Sequence, residues 1–97
     1  GEAPLAALAR ELCEELGVGI VPGSARLLGE FEDDAVHEPG RRVRSTAYAV
    51  AIDATPRACA EIAALAWIDP HPPYAVPLAP LSARHTLPAW VRMRDAE

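Results

Sequence analysis

The first apolar residues of the chain recur with the period of an α-helix. From Pro4 to Leu16, spacings of three and four residues place one set of apolar side chains on a single stripe. That stripe consists of Leu5, Leu8, Ala9, Leu12 and Leu16. Proline suits the first turn of a helix, and Gly17 supplies a stop after the last turn. The pattern therefore predicts a helix over about residues 4–17, with one apolar face.

After this helix the pattern becomes that of β-strands. Short runs of strand-forming residues, bounded by glycine, proline and acidic residues, predict four strands. They cover residues 18–21, 26–32, 43–52 and 62–68. The last run fits a strand or a helix by periodicity, and its short length and the following Asp69 and Pro70 favour a strand.

The C-terminal third combines an irregular stretch with a second helix. Residues 70–80 are rich in proline and are expected to be extended or irregular. A short helix is predicted over about residues 88–94, with Ser82 or Thr86 near its start. The chain has no internal repeat and no dividing linker, so we expect one domain over residues 1–97, of the α+β or mixed three-layer kind.

Charge and cysteine content narrow the class of partner. The net charge is −5 and every cation is an arginine, which argues against a nucleic-acid polymer as partner. The apolar runs are far shorter than the roughly 18–20 residues of a membrane span, so no membrane partner is expected. Cys13 and Cys59 match neither a disulfide framework nor a metal motif, so we interpret both as reduced thiols of a cytoplasmic protein.

Three glutamates stand together on the first helix, opposite its leucine stripe. Glu11, Glu14 and Glu15 repel one another, and the last two also face the negative end of the helix dipole. Arg10 relieves only part of this repulsion, because it precedes Glu14, which is the poorer order for such a pair. Carboxylates in this arrangement suit a hard divalent cation. On electrostatics alone, a metal site and a solvated acidic face remain equally open.

The residues around these glutamates resemble the Nudix box, G-x5-E-x7-R-E-U-x-E-E-x-G-U, in which U is a bulky aliphatic residue. Its last seven defined positions are matched by Arg10, Glu11, Leu12, Glu14, Glu15, Gly17 and Val18. Glu2 stands at the earlier glutamate, so eight of the nine defined positions match at the correct spacing. The opening glycine would precede Gly1, so we expect the chain to begin inside the motif.

The resemblance extends beyond the box and implies a fold. The run HEPGRRVRSTAYAVAI resembles the loop and central strand of bacterial MutT-like members, and PLAPLSARHTLPAW resembles their C-terminal helix. The implied fold is an α/β Nudix sandwich (α/β/α) with a mixed sheet. On this view, residues 1–97 form the C-terminal portion of a single Nudix domain, and its N-terminal strands are missing from the chain.

The resemblance also implies a reaction, the metal-dependent hydrolysis of a nucleoside diphosphate linked to another group. Glu14 and Glu15 would be the main ligands of Mg²⁺ or Mn²⁺. Glu11 would bind metal through water or act as the general base, and Arg10 would orient these carboxylates by hydrogen bonding. The resemblance therefore makes Arg10, Glu11 and Glu14 candidate catalytic residues.

Further residues are expected to assist. Glu61, six residues before Trp67, resembles a fourth carboxylate for metal binding or water activation, and is otherwise a surface residue at a loop end. Glu2 would brace the start of the helix, and Gly17 is a structural residue of the box. Trp67, like Trp90, is interpreted as a packing residue and not as a surface for stacking a base.

Two arginines are candidates for phosphate contacts, and their alternative is a solvated position. Arg41 and Arg44 flank the start of the predicted central strand, close to Arg42. The expected substrate is a small nucleotide, by preference a nucleoside triphosphate cut to a monophosphate and pyrophosphate. Oxidised purine nucleotides are among the candidates.

Two other interpretations stay open. In the first, the chain is a non-catalytic Nudix-fold module that binds nucleotides or proteins. The intact set of glutamates argues against it. Alternatively, it pairs with a second copy or a complementing chain through an exposed sheet edge, and is then inactive alone.

Overall fold

A computed structural model describes residues 2–60, 62 and 64–96 of the chain. Its elements are α1 (Pro4–Leu16), β1 (Arg26–Asp34), β2 (Arg42–Ala49) and α2 (Leu87–Asp95), with a π-helical segment, Ser82–Thr86, directly before α2. The predicted α/β class is confirmed. In the described part of the chain, no helix is both long and apolar enough to cross a membrane.

The chain divides into two compact units. The first unit contains Gly1–Arg26 and Tyr48–Trp67, and the second contains Leu27–Ala47 and Ile68–Glu97. Helix α1 belongs to the first unit, whereas most of the β1–β2 sheet and all of α2 belong to the second.

Helix α1 has the predicted bounds, for identifiable reasons. Pro4 stands in the first turn, where its missing N–H costs no helical hydrogen bond. Gly17 ends the helix in the left-handed conformation, with φ of 66°, and its N–H donates to the Cys13 carbonyl at 3.2 Å. The apolar stripe is half-buried at Leu12 and Leu16. The helix therefore holds one face against its own unit and presents the other to solvent.

The segment after α1 pairs with the chain beyond β2 through a single β-bridge. Ile20 and Ile52 form this antiparallel bridge, flanked by the hydrogen bond from Asp53 N–H to the Gly19 carbonyl at 3.1 Å. Val18, just ahead of the bridge, is only 2% exposed. The run predicted as a strand at residues 18–21 is therefore reduced to one bridge, because a turn follows at residues 22–23.

In the second unit, β1 and β2 form an antiparallel hairpin. The Ala35 N–H donates to the Arg41 carbonyl at 3.0 Å and closes the hairpin. Side chains alternate between the two faces, as the pleat requires. One face is charged, and on it Arg42 pairs with Asp34 at 2.9 Å and with Glu32 at 3.4 Å. The opposite face carries Phe31, Asp33 and the buried Ala47.

Two expectations about the late part of the chain require correction. Residues 62 and 64–68 form no strand, although the run was predicted as one. Three of its residues are alanines, which bury little apolar surface to hold a strand in place. Trp67, interpreted as a packing residue, is 84% exposed. By contrast, α2 contains the whole predicted range 88–94 and follows Thr86 directly.

Candidate active site on the first helix

Arg10 connects the acidic residues on the solvent-facing side of α1. Its Nε and Nη2 donate to the Glu2 carboxylate at 3.0–3.2 Å, and its Nη1 donates to Glu14 Oε2 at 3.3 Å. Glu11 Oε1 lies 3.9 Å from Nη2. The hydrogen bonds and charge of Glu2, with the charge of Glu14, raise the pKa of Arg10 above its usual value. One guanidinium thus contacts three of the predicted box carboxylates.

The box carboxylates remain open to solvent. The side chains of Glu11 and Glu14 are 54% and 58% exposed, and Glu15 is exposed as well. Within the described residues, no group of three or more His, Cys, Asp or Glu side chains is close enough to hold a metal ion. Mg²⁺ is commonly held by one or two carboxylates together with water and phosphate oxygens. The exposed donors on α1 fit that kind of coordination.

The C-terminal end of α1 is fixed by a segment from the other half of its unit. The Arg57 N–H donates to the Leu16 carbonyl at 3.0 Å, and the Cys59 N–H donates to the Glu15 carbonyl at 2.8 Å. These carbonyls belong to the last turn of α1, where carbonyl oxygens find no N–H donor within the helix. The backbone around Glu15 is therefore held by residues 57–59 as well as by Gly17.

The remaining predicted residues are Glu61 and two arginines of the second unit. Glu61 lies outside the described residues. Arg41 and Arg44 belong to the second unit. Arg41 lies in the hairpin connection with its Nε 3.4 Å from Glu38 Oε2, and Arg44 is exposed on β2.

The first unit also contains cavities near α1. One, of about 230 Å³, is lined by Leu16, Ile52, Pro56, Leu65, Ala66 and Trp67. A second, of about 430 Å³, shares Ile52, Pro56 and Trp67 with the first. Leu16 is in the last turn of α1, so the first cavity adjoins the end of the box helix. It has room for a small ligand.

A cluster that the sequence analysis did not select lies in the second unit. Asp33, only 4% exposed, accepts a hydrogen bond from Arg84 Nη1 at 3.1 Å, and its Oδ2 lies 3.0 Å from His85 Nε2. The backbone N–H of Asp34 donates to it at 2.7 Å. This N–H is the main cause that lowers the pKa of Asp33, aided by Arg84 and His85 and opposed by burial. No local sequence pattern predicts the cluster, because Arg84 and His85 are 51 and 52 positions from Asp33.

Comparison with protein families agrees with the motif on α1. The NUDIX domain model matches residues 1–90. No curated protein and no solved structure matches the chain in the corresponding comparisons. The family match covers most of the chain, including α1 with its arginine-linked glutamates and both strands of the hairpin, and on this basis the chain belongs to the Nudix domain family.

Proposed function

We propose that this Nudix domain hydrolyses a nucleoside triphosphate to a nucleoside monophosphate and pyrophosphate, with Mg²⁺ or Mn²⁺ as cofactor. A Nudix hydrolase type of function follows from the family in general. The observation that supports the proposal best is the Arg10 network, which links Glu14 on the exposed face of α1 to Glu2 just before the helix. Repelling carboxylates kept together on one turn favour a divalent cation between them.

The chain's own residues have distinct roles in this proposal. A divalent cation, when bound, would supply positive charge against the diphosphate and would lower the pKa of a water molecule. Glu14 and Glu15 hold that cation, and Glu11 accepts a proton from the attacking water or binds the metal through water. Arg10 orients Glu14 through the 3.3 Å hydrogen bond and is itself fixed by Glu2. Glu61 is proposed as a fourth carboxylate.

Further parts of the proposal concern the subtype, the ligand and the location of the protein. We propose a bacterial MutT-like subtype from the resemblance in the box and in the two later runs of sequence. The cavities that share Trp67 and Ile52 support a small ligand with an apolar part. Cys13 and Cys59 are both free thiols, which supports a cytoplasmic location. Arg41 and Arg44 remain proposed phosphate contacts.

The proposal is tested by turnover of a nucleotide panel with and without Mg²⁺ or Mn²⁺. We expect metal-dependent release of a nucleoside monophosphate. In the double variant Glu14→Gln with Glu15→Gln, neutral amides replace the anionic ligands, so the rate should fall by about 100-fold or more. Glu30→Gln, an exposed change on β1 in the second unit, is the matched control and should leave the rate unchanged.

Three results would contradict parts of this proposal. Equal metal-dependent rates in the double variant and the wild-type chain would show that Glu14 and Glu15 are not the ligands. Nucleotide binding without turnover in any metal would favour the non-catalytic module. Turnover that appears only when a second, different chain is added would favour a composite site.

A further inference from the structure

Arg57, which no sequence pattern singles out, lies at the C-terminal end of α1. Its backbone N–H donates to the Leu16 carbonyl at the end of α1, at 3.0 Å. A Cβ built on Gly17 would lie 3.0 Å from Arg57 Nε and 3.5 Å from Nη2. The guanidinium therefore lies against the glycine that ends the box helix, and both its backbone and its side chain are placed there.

The Arg57 guanidinium is available for a ligand. The residue is exposed, and within the described part of the chain its side chain makes no hydrogen bond and no ion pair. Arg10, which is on α1 itself, instead donates hydrogen bonds to Glu2 and Glu14. Two arginines thus serve the acidic helix in different ways, and of these two Arg57 is the one without a side-chain partner among the described residues.

The electrostatics at this position call for such a cation. The last turn of α1 contains Glu14 and Glu15 and no basic residue, and the helix dipole adds negative potential there. An anionic substrate approaching this turn would be repelled by it. A guanidinium fixed beside Gly17 opposes that repulsion and offers the planar, bidentate donors that suit a phosphate group.

We propose that Arg57 binds a phosphate group of the substrate at the C-terminal end of α1, next to the carboxylates of the box. This inference rests on the proposed hydrolase function and adds a substrate-binding residue to it. The hydrogen bond between the Arg57 N–H and the Leu16 carbonyl fixes the Arg57 backbone at that turn, so its side chain starts beside Gly17. Arg57 binds charge and takes no part in proton transfer.

The test compares Arg57→Ala, Arg57→Lys and a control, Arg92→Ala, which removes an exposed arginine from α2 in the second unit. Inorganic pyrophosphate in Mg²⁺ buffer is titrated calorimetrically against each, and KM and kcat are measured for the best nucleotide of the panel. In Arg57→Ala we expect the affinity for pyrophosphate to fall, and KM to rise, by about 10-fold or more, with a smaller change in kcat. Arg57→Lys should recover part of the loss, because lysine keeps the charge without the fork of donors. Arg92→Ala should match the wild-type chain.

The binding readout separates failure of this inference from failure of the proposed function. A chain that hydrolyses no nucleotide but binds pyrophosphate more tightly than Arg57→Ala would support the role of Arg57. Unchanged pyrophosphate binding and KM in Arg57→Ala would overturn it, as would a wild-type chain that binds no pyrophosphate. A fall in kcat and melting temperature with unchanged pyrophosphate binding would also overturn it, since it would indicate a structural role alone.

Discussion

At the scale of single residues, Gly17 meets two separate constraints. Its φ of 66° is a conformation that residues with a Cβ adopt at a cost of about 1–2 kcal/mol. In addition, a Cβ there would lie 3.0 Å from Arg57 Nε. Gly40 has φ of 81° but no atom within 4 Å of a built Cβ, so it carries only the first constraint. The two glycines therefore form a matched pair.

We predict that Gly17→Ala lowers the free energy of unfolding by about 1–2 kcal/mol, and by more than Gly40→Ala does. The excess destabilisation of Gly17→Ala over Gly40→Ala should shrink when each change is made separately in an Arg57→Ala background. The close contact of the new Cβ with Arg57 is then removed. Urea unfolding of the five variants measures each difference. An excess that persists without the Arg57 side chain would mean that the guanidinium does not lie against Gly17.

At the scale of elements, Asp33 fastens the helical segment before α2 to the end of β1. It binds Arg84 and contacts His85, whose ring also stacks on Phe31 with centroids 5.7 Å apart. Apart from Ala89, α2 has no buried residue. Because the other apolar residues of α2 are only half-buried, the polar contacts of Asp33 add to the attachment of this part of the chain.

We predict that Asp33→Asn lowers the melting temperature at pH 7 by several degrees, whereas Asp34→Asn, a change at the exposed neighbour, has a smaller effect. The pKa of Asp33 is lowered on folding from its usual 3.8. Its ionised form therefore stabilises the fold above about pH 4, and this contribution is lost as the pH falls through the lowered pKa. Thermal unfolding at pH 7 and at about pH 3 should show the difference between Asp33→Asn and wild type shrinking at the lower pH. A constant difference would exclude the carboxylate as its cause.

The same elements show how far local sequence reasoning extends. Helix α1 was predicted with correct bounds because Pro4, the leucine stripe and Gly17 act within the helix itself. Residues 62 and 64–68 were predicted wrongly as strand, because a strand requires a neighbouring strand that this run does not specify. The contact of Asp33 with Arg84 spans 51 positions and has no periodic signal. Local rules therefore fix helices and caps better than sheets and long-range ion pairs.

The candidate site follows the same division. The glutamates of α1 share a face because of helical spacing, so their proximity to Arg10 could be anticipated from the sequence. Arg57 could not, because only the tertiary fold brings residues 57–59 to the end of α1. Arg41 and Arg44 were chosen for their charge and their place in the sequence; they belong to the second unit, and their contact with phosphate stays a prediction.

At the scale of the whole molecule, the sheet leaves an opportunity for association. In the described part of the chain, β1 and β2 pair only with each other, so each has one edge without a partner. Leu27 on β1 is 62% exposed and Val43 on β2 is 43% exposed. Unpaired strand edges with exposed apolar side chains favour pairing with another chain. A second copy of this chain meets that requirement.

We therefore predict that sedimentation velocity will show association that increases with protein concentration. Leu27→Lys places a charge beside the free edge of β1 and should weaken association by about tenfold, since a leucine then fails to be buried. Leu65→Lys alters a leucine that is 42% exposed in the other unit and belongs to neither strand, and it should leave association unchanged. Equal weakening by both variants would point to non-specific contact of apolar surface. A monomer at every concentration would mean that the charged face of the hairpin, with Arg42 between Asp34 and Glu32, already suffices to protect its edges.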